Sequence, residues 1–261
     1  MIRGLYTSGY GMLTLNRKMD TISNNIANAS TNGFKKDTIV FEEFSEVLAK
    51  RLFDDTGSSF GNRSRTIGTM SLFNDIAEVH KDFTQGTLES TEASTDVAIT
   101  GDNSAFFSVA MLGEDGELRE YYTRDGSFKL DANGMLVTRD GNPVVGQNGA
   151  IYLNGSEFTV TSDGRILQDD TLVDTLKISK FTNPETLRNY GYNLFTVTGE
   201  SQTGEFEGSL QQGFVEGSNV DSVKEMVEMI NVLRAYETSQ KLIQYQDSTL
   251  EKAVNEVGRT G

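Results

Sequence analysis

His80 is the one histidine in this chain of 261 residues, and there is no cysteine. A zinc pair of the His-Glu-x-x-His kind is therefore impossible, as are disulfides, thiolate metal sites and cysteine nucleophiles. A lone histidine could still act as a general base, yet no Gly-x-Ser-x-Gly turn offers it a nucleophile. The 38 acidic side chains suffice by number for a glycosidase-like pair, but no spacing singles out any two of them. Asp131-Ala132-Asn133-Gly134 faintly resembles the start of a calcium loop. That loop needs Gly at its sixth place and an acid at its twelfth, where Leu136 and Asn142 stand. No phosphate-cradling glycine pattern occurs. The expectation is a protein that is not an enzyme, with no cofactor, no metal and no small-molecule substrate.

Charge narrows the partners further. With 23 basic residues the formal charge is −15, which a phosphate backbone or an anionic lipid surface would repel. Nucleic acid is therefore not an expected partner. The N-terminus lacks an apolar run of secretory length, and no stretch approaches the ~18 apolar residues of a membrane span. Either the protein stays inside the cell or it leaves by a route without a cleaved signal.

What remains is helix patterning at the two ends. Leu5, Met12, Met19 and Ile26 recur every seven residues, beside a second track through Leu15, Ile22 and Ala29. Met229, Tyr236, Ile243, Leu250 and Val257 keep the same period near the other end. Such repeats mark helices that bury a narrow seam against other helices. Asn16, Ser23, Asn24, Asn25 and Asn28 line the polar face of the first helix, where amides suit specific contacts better than helix propensity. The spacing predicts a helix from about Gly4 to about Asn32. Gly33 would form its left-handed cap, Phe34 would fold back near Ala29, and Lys35 and Lys36 would complement its dipole. The last helix should open on a capping box, Ser218-Asn219-Val220-Asp221, and run to about Val257, with Gly258 ending it.

The middle reads differently. Asp-Gly and Asn-Gly pairs recur at Asp115-Gly116, Asp125-Gly126, Asn133-Gly134, Asp140-Gly141, Asn148-Gly149, Asn154-Gly155 and Asp163-Gly164, separated by short apolar runs. That pattern predicts antiparallel strands joined by tight turns, with Phe106, Phe107, Tyr121, Tyr122 and Phe128 as core. The fold class is α+β: long terminal helices pairing as a coiled-coil-like unit, with an inserted, mainly antiparallel β domain. The expected divisions are a first helix over 1–35, a linker and extended segment over 36–90, a β domain over 91–205, a return linker over 206–217 and a last helix over 218–261.

Seams at both termini favour a polymer. The expected subunit interface is Leu5, Met12, Leu15, Met19, Ile22, Asn25, Ile26, Met229, Tyr236, Ile243, Leu250 and Val257. Contacts that do not close into a ring would give a helical homopolymer. The ends would fray in the free monomer and fold on assembly, since a long isolated helix is marginal in water. A secreted module whose β domain grips glycan or protein is the competing reading.

Several runs also resemble one family. Ser23-Asn24-Asn25-Ile26-Ala27-Asn28 followed by Thr31-Asn32-Gly33-Phe34-Lys35 resembles the N-terminal signature of bacterial flagellar rod and hook proteins. Asp82-Phe83-Thr84-Gln85-Gly86-Thr87-Leu88, Asp96-Val97-Ala98-Ile99, Thr123-Arg124-Asp125-Gly126-Ser127-Phe128, Ser218-Asn219-Val220-Asp221 and Arg234-Ala235-Tyr236-Glu237 look like its later blocks, in order. One departure stands out: Gly101 is followed by Asp102-Asn103-Ser104-Ala105 before Phe106-Phe107, where the family usually has Gly-Phe-Phe. The resemblance implies an axial subunit of the flagellar basal body, exported by the flagellar type III apparatus without a cleaved signal. It also implies an inner tube of terminal helices and a shaft that passes torque to the hook. Length and the opening Met1-Ile2-Arg3 favour the distal-rod branch over the proximal rod paralogue. Expected partners are copies of itself, proximal rod and hook proteins, the export apparatus and surrounding ring proteins. In this family about Glu46 to Met70 is the stretch that differs between stiff rod and flexible hook.

Because like-charged monomers repel, raising salt from a low level to ~1 M should increase the polymerised fraction of the purified chain. Sedimentation would measure this, and a polymer fraction that falls with salt would contradict it.

Overall fold

The computed structural model describes residues 2–44, 47–52, 64–70, 73–112, 118–155, 157–191, 193–197 and 201–257. The class is α+β, with mostly antiparallel strands and a helix at each end. The chain divides into two units. One comprises 1–24, 37–80 and 223–261, and the other comprises 25–36 and 81–222.

The first unit holds most of helix α1 (Ile2–Ala27) and helix α2 (Ser222–Lys252), which a single irregular turn (Ala253–Val257) extends. α2 has no Gly or Pro, an acid in its first turn at Glu225 and a base in its last at Lys252, so charge and backbone both favour it. The same unit contains strands β1 (Asp37–Phe44), β2 (Val47–Leu52), β3 (Ser64–Met70) and β4 (Phe73–Lys81). β1 pairs with β4 and β2 runs antiparallel to β3. The stretch expected to be extended segments and loops is thus largely paired strand where it is described. His80 lies near the end of β4 and is only partly buried.

The second unit is built around a six-stranded antiparallel sheet. Its order is Leu187–Gly191, Leu194–Val197, Leu118–Thr123, Ala105–Leu112, Ile178–Phe181 and Thr203–Gly204. Adjacent residues on a strand face opposite ways, so Phe106 and Phe107 serve two cores and both are fully buried. Phe107 joins Val97, Ile99, Val109, Tyr121 and Ile166, and meets Phe128 edge-on at 5.1 Å between centroids. Phe106 joins Phe181, Leu187 and Phe195, with Phe83 stacked edge-on at 5.6 Å. The expected aromatic core is therefore present, with Tyr122 only partly buried at its rim.

The turn chemistry worked at five of the seven glycine pairs. Gly134, Gly141, Gly149, Gly155 and Gly164 all have positive φ, while Asp115-Gly116 lies outside the described residues. Asp125-Gly126 is the exception. Asp125 Oδ1 accepts from the Ser127 amide at 2.9 Å and from its hydroxyl, and Gly126 lies against the Val97 carbonyl with no room for a methyl group. That glycine serves close approach rather than handedness. One tight turn had no glycine to mark it: Asp169 (φ 48) and Asp170 (φ 60) link Arg165–Gln168 to Thr171–Thr175. The unusual insertion after Gly101 closes on itself. Asp102 Oδ1 accepts from the Ser104 amide at 3.0 Å and its hydroxyl at 2.8 Å, and the carboxylate meets Lys180 at 3.2 Å.

Both helix boundaries differ from the sequence reading. α1 stops at Ala27, and short turns follow: Asn28 N donates to Asn25 O, Ala29 N to Ile26 O and Thr31 N to Asn28 O. Asn28, Ser30, Thr31 and Asn32 offer the backbone local polar alternatives to the helix. At the other end Ser218 Oγ accepts from the Val220 amide at 3.2 Å, and α2 begins only at Ser222. The expected stop at Gly258 lies outside the described residues.

Gly126→Ala is expected to cost at least 1–3 kcal/mol, because the new methyl would overlap backbone that cannot yield. Urea unfolding would measure the loss. A variant as stable as the parent would mean that the packing between Gly126 and Val97 is looser than described.

Candidate assembly helices and the buried ion triad

Along α2 the residues that withdraw from solvent are Glu225, Met229, Val232, Tyr236, Ser239, Ile243, Gln246, Leu250 and Ala253. Their spacing alternates four and three, the a/d rhythm of a helical seam. Met229, Tyr236, Ile243 and Leu250 lie on it, and the Val257 side chain lies outside the described residues. The sequence reading left out the other five, of which Glu225, Ser239 and Gln246 are polar. On α1, Leu5, Met12, Leu15, Met19 and Ile26 are half-buried, while Ile22 and Asn25 are buried. The two helices touch at two places. Lys18 Nζ pairs with Glu228 Oε1 at 2.5 Å, and a methyl group on Gly4 would lie 2.6 Å from Gln246 Nε2. The contacts run in opposite chain directions, so the helices are antiparallel.

A second apolar surface faces away from that seam. Val223, Met226, Val227, Ile230 and Leu233 on α2 are all more than 40% exposed, as are Tyr6, Tyr10 and Leu13 on α1. Spacings of three and four place the α2 group on one stripe. Five large apolar side chains thus share one exposed stripe rather than lying singly. Sequence reading passed over them because the heptad track captured attention one face away.

The second unit contains the strongest electrostatic feature. Glu216 is 1% exposed, and so are Lys35 and Arg124. Lys35 Nζ donates to Glu216 Oε1 at 2.6 Å and to the Thr84 carbonyl at 2.7 Å. Arg124 Nε donates to Glu216 Oε2 at 2.5 Å, and its Nη1 reaches the Ala105 carbonyl. The Gly86 amide adds a bond to Glu216 Oε1 at 2.9 Å, and the Gly33 amide donates to the Glu216 carbonyl at 2.7 Å. Lys35 therefore does not serve the dipole of α1, as the sequence reading had it; it is the cation of a buried salt bridge. Gly33 does have positive φ, 67°, but it presses against the backbone of Arg124 and Asp125 instead of capping the helix.

Burial alone would raise the Glu216 carboxyl, yet Arg124 and Lys35 outweigh it by charge and hydrogen bond and hold it below the ordinary range. Burial pulls the Lys35 ammonium down, Glu216 only partly offsets this, and the like charge of Arg124 adds to the lowering. The carboxylate gathers two cations, whereas Lys35 has Glu216 and, more weakly, Asp82 against burial and the like charge of Arg124. Asn219 extends the network. Its Oδ1 accepts from the Lys36 amide at 2.8 Å, and its Nδ2 donates to the Asp82 carbonyl at 2.8 Å and the Thr84 carbonyl at 3.2 Å.

Removing one member of such a buried cluster strands the others. Glu216→Gln is expected to lose about 3–5 kcal/mol in denaturant unfolding near neutral pH. The sign with pH follows from the lowered carboxyl: its contribution is present above the unfolded value of 4.5 and disappears as pH falls through the folded value. The stability gap between parent and variant should therefore narrow below pH 4.5. A gap constant down to strong acid would contradict the assignment.

Comparison with known proteins agrees with this layout. Residues 5–35 match the model of the flagella basal body rod protein family. Residues 98–167 match the flagellar hook protein FlgE/F/G D1 domain, and residues 211–256 the C-terminal flagellar basal body rod FlgEFG domain. The flagellar basal-body rod protein FlgG of Buchnera aphidicola is 37% identical, over 97% of this chain and 98% of that one. FlgG of Borreliella burgdorferi is also 37% identical, over 98% of each. FlgF of Caulobacter vibrioides is 32% identical, over 100% of this chain and 99% of its own. Relatives this similar along their full lengths share one architecture and one kind of role: the chain belongs to the flagellar basal-body rod protein family, a family of structural axial subunits.

Proposed function

We propose that this protein is the distal-rod subunit of the bacterial flagellum. Its terminal helices pair in antiparallel, coiled-coil-like fashion, and copies stack through them into a stiff hollow shaft that carries motor torque to the hook. The observation that carries this reading is the exposed apolar stripe Val223, Met226, Val227, Ile230 and Leu233 on a helix whose opposite face is already withdrawn from solvent. One covered face serves the fold, and the other is left for neighbouring copies. Burying each such side chain contributes roughly 1.5–3 kcal/mol, so a handful suffices to fold frayed helices on assembly.

Leu5, Met12, Leu15, Met19, Ile22, Asn25, Ile26, Met229, Tyr236, Ile243, Leu250 and Val257 form the seam side of this assembly surface. The divisions at about 35, 90, 205 and 217 separate helix, extended segment, β domain, return linker and helix. Proximal rod proteins and hook proteins cap the two ends of the shaft, and ring proteins surround it. The chain reaches its place through the flagellar export apparatus without a cleaved signal. Among the described residues no helix is long and apolar enough to cross a membrane. The proximal rod is the alternative, favoured by the FlgF relative that aligns along all of this chain.

Two variants test the division of labour. Val227→Asp should leave a folded monomer that fails to restore motility to a strain lacking this protein. Ile22→Asp, on the buried side, should additionally lower helix content by circular dichroism. Normal swimming with Val227→Asp would sink the assembly face, and complementation of a proximal-rod deletion alone would favour the alternative.

A further inference from the structure

The four places where the chain passes between its two units are 24/25, 36/37, 80/81 and 222/223. On the β-rich side, the segments that adjoin three of them are gathered by two residues. Glu216 binds Lys35 and Gly86 with its carboxylate and Gly33 with its carbonyl. Asn219 binds Lys36, Asp82 and Thr84 with its amide. The Asp82 amide in turn donates to the Lys36 carbonyl at 2.9 Å, and the Asn219 amide to the Phe34 carbonyl at 3.4 Å. Lys35 and Glu216 are 181 positions apart, and Arg124 and Glu216 are 92 apart. The network thus knots stretches that the chain delivers at very different times.

Before Glu216 is available, Lys35 and Arg124 cannot share this site. Both would be buried cations near each other with no anion. The Gly86 amide would also lack its acceptor. The chain is made from its N-terminus, so Glu216 arrives after every other member of the cluster.

We propose that Glu216 is a folding latch. Residues 25–36 and 82–87 stay undocked from the β-rich unit until the stretch around 216–219 arrives, and the carboxylate then locks all three together. This device concerns the folding of one chain and stands apart from the rod reading, so assembly can fail while the latch holds, and the reverse.

Hydrogen exchange on the purified full-length chain tests it. In Glu216→Gln the amides of Gly33, Gly86 and Lys36 should exchange about 100-fold faster, while those of Val109 and Tyr121 in the central sheet should change less than about threefold. Lys35→Met added to Glu216→Gln removes a stranded cation. It should raise the unfolding midpoint again without restoring protection at Gly33 and Gly86. Asn219→Ala strands no charge and guards against a variant that fails to fold; it should open Lys36 about tenfold with the midpoint little changed. Uniformly faster exchange across both regions in Asn219→Ala, or full protection at Gly33 and Gly86 in the double variant, would overturn the latch.

Discussion

Two cations held on one buried carboxylate set the terms for the β-rich unit. Each of the three side chains would be prohibitively costly inside the protein alone. Together they satisfy one another, and backbone groups at Thr84, Ala105 and Gly86 take up the remaining valences. An ion cluster of this kind adds little stability compared with apolar packing of the same volume. What it adds is uniqueness. This placement of 33–35, 86, 124 and 216 sets both cations against the one carboxylate, so the cluster ties together distant segments. The apolar cores around Phe106 and Phe107 supply the bulk of the burial, but apolar contacts alone do not dictate that particular knot.

The same cluster explains why family blocks that look unrelated in sequence belong together. Lys35 ends the first block, Gly86 sits in the second, Arg124 in the β-domain block, and Asn219 in the block that opens at Ser218. Glu216 lies just ahead of that last block and is the hub. A run such as Thr123-Arg124-Asp125-Gly126 reads as a turn, yet each position has a separate spatial duty. Arg124 reaches the carboxylate, Asp125 binds Ser127, and Gly126 makes room for the Val97 carbonyl.

Much of the architecture was legible because it rests on local chemistry. Glycine-bearing turns and alternating apolar runs announce antiparallel strands, and seven-residue spacing announces the terminal helices. Where the reading failed, the cause was long-range. Lys35 looked like a dipole partner because a sequence shows it just beyond a plausible helix end, not against a glutamate 181 positions away. Asn219 looked like part of a helix cap, but its amide serves Lys36 and Asp82. Asp169-Asp170 escaped because aspartate tolerates the left-handed region without advertising it as glycine does. On α2 the polar positions Glu225, Ser239 and Gln246 hid part of the withdrawn face.

That polar seam bears on how such helices can serve assembly. A seam filled with Leu and Ile at every layer would hold two helices together without further help. Here Glu225, Ser239 and Gln246 occupy three of the layers, and Gln246 Oε1 is buried without a hydrogen-bond partner among the described residues. Polar layers weaken the pairing while fixing its register. The outer stripe of Val223, Met226, Val227, Ile230 and Leu233 meanwhile remains exposed. A helix that is under-stabilised on its inner side and apolar on its outer side gains most when the outer side is covered. On the proposed rod reading, part of the helix stability lies in contacts that a single copy does not make, which is the condition a subunit needs if it is to become rigid only on joining its neighbours.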